Sequence, residues 1–452
     1  MAEHGSAIFI FTEKRMGNTN SKMRAAILTL GCRVNQYESE AVAEELEAVG
    51  FEICDFNDDC DVYIINTCAV TAESERKSRQ MVRRAAKRRG AGIIVMGCSA
   101  QVHGAEAFGG CGVFYVCGNR NKMTAAEAAL SFVNGGFAEN AFLDVEQAPI
   151  EKMSIRRSER TRAYVKIEDG CDNNCAYCII KKARGAVVSR KISEICAEVD
   201  VLADAGYREI VLTGIETASF GKDTGERLSE LIDRVSENEK IERIRLGSLE
   251  PSVLTKDFVD SIAKNKKFMP SFHLSLQSGS NAVLASMRRK YNIGRVIASV
   301  EYVKENVKDA TFTADIITGF PGETDENFLE TCAAAEKIGF LHMHIFPFSE
   351  REGTAAADMK NQVPEAVRRE RAARLEMLGE EIKRSVYEKS LDGKARRVLF
   401  ETPKDGYNVG HTPEMLEIYV KDERCLQGEI FPVIPTRYEN GRLYGEIAED
   451  KR

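Results

Sequence analysis

The sequence predicts an α/β protein with an open parallel sheet at its N-terminus, a partial (β/α)6 barrel in its centre and a small antiparallel β-barrel at its C-terminus. Apolar runs alternate with helical patterns along most of the 452 residues, a rhythm typical of parallel sheets. A polar stretch at 136–156 interrupts this rhythm and is predicted to be a linker between two α/β series. Beyond residue 389 the rhythm gives way to short alternating strands separated by turns, as in small barrels.

The first α/β series covers residues 23–135, and residues 1–22 precede its pattern as an N-terminal extension. Apolar runs predict buried strands at 25–30, 62–66, 93–97 and 113–116. Helical periodicity fills the intervals at 38–48, 71–89 and 124–132. Strands that alternate with helices in this way predict an open sheet of parallel strands.

The second α/β series covers residues 157–388. Its predicted strands lie at 163–167, 209–212, 243–246, 272–276, 311–317 and 342–346. Six strand–helix units in about 230 residues predict an incomplete version of the eight-unit parallel barrel. A charged helix at 364–389 ends the series, and residues 389–452 then supply strands at 395–401, 416–420, 428–435 and 443–447.

Composition narrows the class of protein. Hydrophobic residues make up 43% of the chain, and no apolar run reaches the roughly 18–20 residues that span a bilayer. The N-terminus lacks the pattern of a signal peptide. We therefore expect a cytosolic protein with no membrane partner, and the 13 cysteines favour metal or redox use over a disulfide framework.

The strongest motif is a loop with three cysteines at CxxxCxxC spacing, Cys171, Cys175 and Cys178. Three thiolates at this spacing can wrap one cuboidal iron–sulfur cluster, and because four irons need four outer ligands, one iron stays open to a substrate. A zinc site is the alternative, but zinc normally takes four ligands and no second cysteine pair or histidine cluster lies nearby. Chance clustering of buried cysteines is a further alternative. The loop follows the first strand of the predicted barrel, at the end where such folds build active sites.

Four further turns end later strands on the same predicted rim. They are residues 213–216, 248–251, 277–280 and 319–323. Glycine in such turns lets the backbone approach a ligand closely. Each turn alone more often just ends a strand, but together with the cysteine loop the four predict a cofactor pocket.

A second set of cysteines has no compact spacing. Cys32, Cys68 and Cys98 each lie one or two residues beyond a predicted parallel strand of the first series. Carboxyl ends of such strands meet at one edge, where ligands bind, so the three thiols could hold a second cluster; equally, they could be small buried residues in tight turns. The remaining cysteines lack both spacing and placement and are expected to be structural: Cys54, Cys60, Cys111, Cys117, Cys196, Cys332 and Cys425.

Ten short motifs give the chain a family resemblance. They are LGCRVNQYESE (30–40), INTCAV (65–70), GCSAQ (97–101), GCDNNCAYCII (170–180), ARG (183–185), LTGI (212–215), SLEP (248–251), HLSLQSGS (273–280), DIITGFPGETDE (315–326) and FPFSEREGTAAA (346–357). Through them, residues 23–452 resemble the methylthiotransferases, a radical S-adenosylmethionine (SAM) family with three domains. The central barrel is then similar to the radical SAM barrel, and the C-terminal barrel resembles a TRAM module.

The resemblance implies two [4Fe–4S] clusters and two uses of SAM. One cluster, on Cys32, Cys68 and Cys98, carries an extra sulfur that one SAM methylates. A second SAM is cleaved at the cluster on Cys171, Cys175 and Cys178, where the resulting radical abstracts a hydrogen and the methylthio group is inserted. Both open irons should then face one cavity. The resemblance also places SAM against Tyr177, Gly214, Ile215, Glu216, Glu250, Gln277, Gly319 and Phe348.

Within the family, GCRVNQYESE resembles the branch that acts on N6-threonylcarbamoyladenosine at position 37 of tRNA. Branches that act on isopentenyladenosine-37 or on a ribosomal protein aspartate are the alternatives, as is a non-catalytic iron–sulfur electron carrier. Two places depart from the usual pattern. Lys181-Lys182 stands where the family usually has Pro-Tyr, and 214–218 lacks the usual histidine, so side-chain contacts to cofactor or RNA are open there.

The predicted partners follow from the same branch. We expect the tRNA anticodon loop as substrate, an electron donor such as flavodoxin or ferredoxin, and a monomeric protein. Net charge is −7, yet basic residues gather at 76–89, 152–166, 181–191 and 287–290. Such local positive patches suit phosphate contacts, although a solvated helix face is the usual explanation of a charge run.

Overall fold

The computed structural model describes residues 22–448, so nearly all of the predicted N-terminal extension lies outside the described residues. The chain forms two compact units. The first contains the chain up to Ile155 together with Lys182–Gly185, and the second contains Arg156–Lys181 and the chain from Ala186 onward.

The first unit is an α/β sheet with every strand pair parallel. Its elements are β1 (Met23–Thr29), α1 (Arg33–Ala48), β2 (Phe51–Cys54), β3 (Val62–Thr67), α2 (Ala72–Ala85), β4 (Gly92–Gly97), α3 (Cys98–His103), β5 (Tyr115–Val116) and α4 (Thr124–Val133). The strand order is β2-β1-β3-β4-β5. Successive residues of β3 point to opposite faces, so Ile64 packs in one hydrophobic core and Ile65 in another. The predicted open parallel sheet is confirmed.

Several elements of the first unit differ from the prediction. The edge strand β2 was missed because its four residues, FEIC, are too few to form an apolar run. Helix α1 begins at Arg33 rather than at residue 38, since the polar-looking segment after Cys32 buries Val34, Asn35 and Tyr37. Helix α2 ends at Ala85 rather than at residue 89.

The second unit begins with a partial barrel. Its elements are β6 (Ala163–Lys166), β7 (Glu168–Asp169), α5 (Ile180–Arg184, which runs into the first unit), β8 (Val188–Ser189), α6 (Ile192–Asp204), β9 (Glu209–Thr213), α7 (Leu228–Ser236), β10 (Arg243–Leu246), β11 (Ser248–Leu249), α8 (Lys256–Ile262), β12 (Ser271–Gln277), α9 (Asn281–Ser286), α10 (Ile293–Asn306), β13 (Thr311–Thr318), α11 (Asp325–Ile338), β14 (His342–Pro347) and α12 (Glu365–Lys389). Parallel pairing gives two sheets, β10-β9-β6 and β11-β12-β13-β14. All six predicted strand–helix units are present.

On the barrel strands β12 and β13, residues of the outer face are buried and residues of the inner face are partly buried. Phe312 of β13 meets the ammonium of Lys304 on α10, with 5.9 Å from Nζ to the ring centroid. Met343 of β14 packs so closely on α12 that a Cβ at Gly379 would lie 2.9 Å from its Cε. The alternate residues of β12 and β13 are only partly buried, and they therefore line the interior.

The C-terminal segment closes into a five-stranded barrel in the order β15-β16-β17-β19-β18. Its strands are β15 (Arg396–Phe400), β16 (Asn408–His411), β17 (Glu417–Val420), β18 (Ile430–Glu439) and β19 (Arg442–Ile447). The prediction of four antiparallel strands was incomplete. Strand β16 was missed because only four residues form it and one of them is Gly410. Glycine is needed there because a Cβ would lie 2.4 Å from the carbonyl oxygen of Leu399. In addition, β17 and β19 pair in parallel.

The small barrel contacts the amino ends of the central strands. Arg245 of β10 donates from Nη1 to the carbonyl oxygen of Pro413 at 2.8 Å, and Thr311 of β13 donates to that of Glu414 at 2.5 Å. Buried Glu209 of β9 holds Arg245 in place at 2.7 Å. The carboxyl ends of the same strands, where the cysteine loop lies, are at the opposite end of the partial barrel. Among the described residues, none of the helices combines the length and apolarity needed to cross a bilayer.

Candidate functional site

The loop with Cys171, Cys175 and Cys178 follows β6 and β7 and is anchored at its middle. Ala176 donates its backbone N–H to Met287 at 3.1 Å and accepts from that of Ala356 at 2.8 Å. It also packs in a hydrophobic cluster with these two residues, Phe320 and Phe348. A loop held on both sides can present its thiols at fixed positions, as cluster ligands require.

The three thiols of this loop lie within electrostatic reach of one another. Burial raises the pKa of Cys171 to about 12, and negative charge on Glu216, Cys178 and Cys175 adds to the shift. Backbone N–H groups point at two of the sulfurs, from Asn173 to Cys171 and from Ile180 to Cys178, each at 3.4 Å. Soft donors that gather with mutual repulsion suit a cationic iron–sulfur group, which would neutralise the thiolates.

Arg289 is a residue of this site that sequence reasoning missed. Its Nη1 lies 3.2 Å from Cys175 Sγ, its Nη2 lies 3.3 Å from Glu250 Oε1, and its side chain is only 4% exposed. Its Nε donates to Tyr291 at 3.0 Å. The basic stretch at 287–290 predicts a surface patch, but Arg289 is buried and this prediction is wrong for it.

Two acidic residues of the predicted rim join the same network. Glu216 follows β9 and accepts the backbone N–H of Glu250 at 3.1 Å. Burial raises the pKa of Glu216 to about 7, and the charge of Glu250 contributes. The chain of contacts from Glu216 through Glu250 and Arg289 reaches Cys175, so the structure brings these predicted residues to the cysteine loop.

The turn at Gly214 and Ile215 has a backbone requirement of its own. A Cβ at Gly214 would lie 2.0 Å from Glu168 Oε1, and that oxygen accepts the backbone N–H of Glu216 at 2.7 Å. Burial raises the pKa of Glu168 well above its ordinary value. Glycine is therefore needed for packing here whether or not a ligand lies against it.

The remaining rim residues end the last three strands. Gln277 closes β12 with φ of 68°, a conformation that side chains other than glycine rarely adopt. Gly319 follows β13, with a Cβ position 2.4 Å from Arg368 Cγ. Aromatic contacts connect this side to the cysteine loop: Phe320 meets the ring of Phe348 at 5.3 Å and that of Tyr177 at 6.5 Å.

In the first unit, Cys32, Cys68 and Cys98 lie beyond β1, β3 and β4, which are neighbours in the sheet. Two glycines with left-handed backbone permit this approach. A Cβ at Gly31, where φ is 102°, would lie 2.9 Å from Cys68 Sγ, and one at Gly97 would lie 2.4 Å from Asn66 Oδ1. Cys98 is the first residue of α3, and Cys32 precedes α1, three residues beyond the end of β1 rather than one or two.

Two of these thiols, Cys32 and Cys68, have raised pKa values to which a neighbouring thiol contributes. Burial raises the pKa of Cys68 to about 11, with contributions from Cys98 and Cys32. The pKa of Cys32 is raised by the surrounding protein, and the positive charge of Arg184 opposes the shift. The structure thus brings the second predicted set together, and its donor chemistry matches that of the first set.

A buried polar network behind Cys32 was not predicted. Arg184 makes a two-pronged ion pair with Glu38, at 2.9 and 3.0 Å, and donates to Asn35 at 2.6 Å. Glu38 also pairs with Lys122, and the side chains of Glu38, Lys122 and Arg184 are fully buried. Asn35, Glu38 and Arg184 stood in the LGCRVNQYESE and ARG motifs, which were a usable signal; nothing in the sequence marked Lys122.

The basic stretches are partly neutralised by acidic partners. At the surface, Arg76 pairs with Glu73 and Arg88 with Asp59, each at 2.7 Å. Lys166, in the stretch at 152–166, is instead buried against Asp169. These ion pairs reduce the positive surface charge, which weakens the evidence for an electrostatic RNA-binding surface.

Comparison with known proteins places this arrangement in a family. A family model described as the Radical SAM superfamily matches residues 165–335, and one described as uncharacterized protein family UPF0004 matches residues 24–117. The threonylcarbamoyladenosine tRNA methylthiotransferase MtaB of Bacillus subtilis is 38% identical, over 90% of this chain and 92% of that protein. MtaB of Thermotoga maritima is 39% identical, over 83% and 86%.

This chain belongs to the radical SAM methylthiotransferases. Another relative, the tRNA-2-methylthio-N(6)-dimethylallyladenosine synthase of Aquifex aeolicus, is 33% identical over 94% of this chain and 98% of its own length. Among solved structures, the radical SAM methyltransferase TsrM of Kitasatospora setae aligns with a TM-score of 0.55 over 74% of this chain and 75% of its own, at 14% identity. That likeness supports the fold alone.

Proposed function

We propose that this methylthiotransferase inserts a methylthio group at C2 of N6-threonylcarbamoyladenosine-37 in tRNA. The observation that carries the proposal is the gathering of two separate three-cysteine sets, each at the carboxyl ends of parallel strands, in a chain 38–39% identical to two proteins named for this substrate. Five relatives named for the threonylcarbamoyl substrate are 32–39% identical and three named for the dimethylallyl substrate are 32–33% identical; the higher identities favour the threonylcarbamoyl branch.

Cys171, Cys175 and Cys178 would hold one [4Fe–4S] cluster, and Cys32, Cys68 and Cys98 the other. When bound, the clusters and SAM supply the electron, the radical and the sulfur that the reaction needs. The protein's own part is to hold six thiolates and to leave one iron of each cluster open. The methylthio sulfur and the radical carbon must come within reach of each other during the reaction.

The residues around the first cysteine loop are proposed to bind and orient SAM. Glu216 and Glu250 offer carboxylates for a cationic amino group, and Arg289 keeps Glu250 beside Cys175. The other proposed contacts are Tyr177, Gly214, Ile215, Gln277, Gly319 and Phe348. Aromatic and aliphatic packing near Tyr177 would exclude water from the reactive centre.

Each segment of the chain has a proposed role. Residues 23–135 would hold the sulfur-bearing cluster, residues 136–156 would link the domains, residues 157–388 would cleave SAM, and residues 389–452 would contact RNA. The tRNA anticodon loop is the proposed substrate, with reducing electrons from a small carrier such as flavodoxin or ferredoxin. We propose that the enzyme works as a monomer in the cytoplasm, where tRNA is modified.

Mass spectrometry of tRNA nucleosides tests the proposal. Cells that lack this protein should lose 2-methylthio-N6-threonylcarbamoyladenosine, and the native gene should restore it. Cys175→Ala should restore nothing, whereas Cys425→Ala, at an exposed thiol of the C-terminal barrel, should restore it fully. Loss of the dimethylallyl derivative, or of methylthioaspartate in a ribosomal protein, would replace the proposed substrate with an alternative.

A further inference from the structure

Three potential metal ligands meet inside the partial barrel, apart from both cysteine sets. His273 of β12, Asp315 of β13 and His344 of β14 each offer one ligand atom, and these atoms all lie within 4.8 Å of one another. His273 Nε2 lies 3.2 Å from Asp315 Oδ2. Among the described residues, no other group of three or more His, Cys, Asp or Glu side chains has its ligand atoms this close together.

The strand register explains why these residues converge. Asp315 is paired with His344 across β13 and β14, and His273 with Thr313 across β12 and β13. Each of the three ligands alternates with a buried residue of its strand, Leu274, Ala314 or Met343. All three side chains therefore project from the inner face, and one ligand comes from each of three adjacent strands.

The group lies below the proposed SAM rim. His273 and His344 are each the third residue of their strands, so His273 stands four residues before Gln277, about 13 Å of extended strand. Asp315 is nearer the rim, because it precedes Ile316, the register partner of Gln277. A ligand here would therefore bind inside the barrel, beneath the rim residues.

A neighbouring residue orients His273 as metal sites require. Nδ1 of His273 is hydrogen-bonded to Thr313 Oγ1 at 2.8 Å. This bond leaves Nε2 directed at the Asp315 carboxylate. Ligating histidines almost always have their second ring nitrogen engaged in this way, which fixes the ring and its tautomer.

We propose that His273, Asp315 and His344 form a binding site for one divalent zinc-type cation. Two imidazoles and a carboxylate are a ligand set that such metals accept. Metal–ligand bonds of about 2.0–2.2 Å put tetrahedral ligand atoms about 3.3–3.6 Å apart. The 3.2 Å contact between His273 and Asp315 is close to this range, and the ligand atom of His344 lies within 4.8 Å of both.

Three protein ligands leave at least one coordination position open toward the barrel interior. Structural zinc sites are closed by four protein ligands, whereas open sites bind water or an oxygen group of a substrate. The proposed cation would therefore be a binding point for an oxygen ligand deep in the barrel. This inference does not depend on the proposed tRNA substrate, because it concerns metal binding alone.

The test measures zinc in the full-length, cluster-loaded protein under anaerobic conditions. Protein is equilibrated at a series of buffered free Zn²⁺ concentrations up to saturation and analysed for bound zinc and iron, and the zinc environment is measured by X-ray absorption. We expect one zinc per chain, with nitrogen and oxygen ligands at about 2.0–2.1 Å. Asp315→Asn and His273→Ala should lower zinc affinity more than tenfold, and Thr313→Val about tenfold.

His342→Ala is the matched control, since this exposed histidine lies on the same strand with its ring 4.6 Å from that of His344 but outside the ligand group. It should keep full zinc binding. Unchanged iron in every variant shows that the fold and the clusters persist. Equal zinc in native and Asp315→Asn proteins, or absorption dominated by sulfur ligands at about 2.3 Å, would overturn the proposal.

Discussion

At the scale of single residues, the side chains at the cysteine loop have two proposed roles. The three cysteines ligate the cluster, and Arg289 affects its reduction potential. The spacing of Cys171, Cys175 and Cys178 was sufficient to predict them, because a cluster loop is a local feature of sequence. Arg289 could not be predicted, because it lies more than a hundred positions away and meets Cys175 only through the fold. Its local sequence, rich in Lys and Arg, suggested a solvated patch instead.

The contact between Arg289 and Cys175 leads to a prediction for the cluster's reduction potential. A cation and an N–H donor at a ligand sulfur stabilise the reduced, more negative state. Arg289→Met should therefore lower the potential of the cluster on Cys171, Cys175 and Cys178 by tens of millivolts. The measurement is a redox titration followed by electron paramagnetic resonance, in a Cys32→Ala background that leaves this cluster alone.

Lys290 offers the matched control for Arg289. It carries the same charge in the same loop but is exposed, so Lys290→Met should leave the potential close to that of the parent protein. Equal potentials for the Arg289→Met, Lys290→Met and parent proteins would show that the guanidinium has no influence on the cluster. Iron content must match in all three proteins for the comparison to hold.

At the scale of elements, strand and helix patterns predicted most of the fold. Strand β10 matches its predicted range, and the other five predicted central strands differ by one residue at one or both ends. Short strands were missed: β7, β8 and β11 have two residues each, and β2 and β16 have four. The parallel pairing of β17 with β19 could not be predicted, because register depends on long-range packing rather than on local pattern.

The ends of β3 and β4 also show why two of the dispersed cysteines can meet. Gly97 has φ of 101°, and a Cβ there would lie 2.4 Å from Asn66 Oδ1 and 2.6 Å from the carbonyl oxygen of Thr67. Gly97→Ala should therefore push β4 away from β3, displace Cys98 and reduce the iron bound to the first unit. We expect a cost of more than about 1 kcal/mol in the free energy of unfolding.

Gly104→Ala separates backbone strain from crowding in this experiment. Gly104 also has a left-handed backbone, with φ of 70°, but nothing lies within 4 Å of its Cβ position. The Gly104→Ala variant should keep its iron, and urea unfolding should show a smaller loss of stability than for Gly97→Ala. If both variants bind iron equally, close packing at the end of β4 does not position Cys98.

At the scale of the whole molecule, family and chemistry were predicted correctly from dispersed motifs. The methylthiotransferase family and the α/β architecture are confirmed by comparison and by the fold. The assignment of six cysteines to two clusters, and of eight residues to SAM, stays a prediction. Motifs marked Glu38 and Arg184 in the sequence, but only the fold shows that these distant charges and Lys122 share one interior.

The central claim is that this chain holds two [4Fe–4S] clusters on two separate cysteine sets. Anaerobic iron and sulfide analysis of reconstituted protein tests it most directly. We expect about eight irons per chain in the native protein, and about four in both Cys32→Ala and Cys171→Ala. About four irons in the native protein, unchanged by Cys32→Ala, would contradict the account.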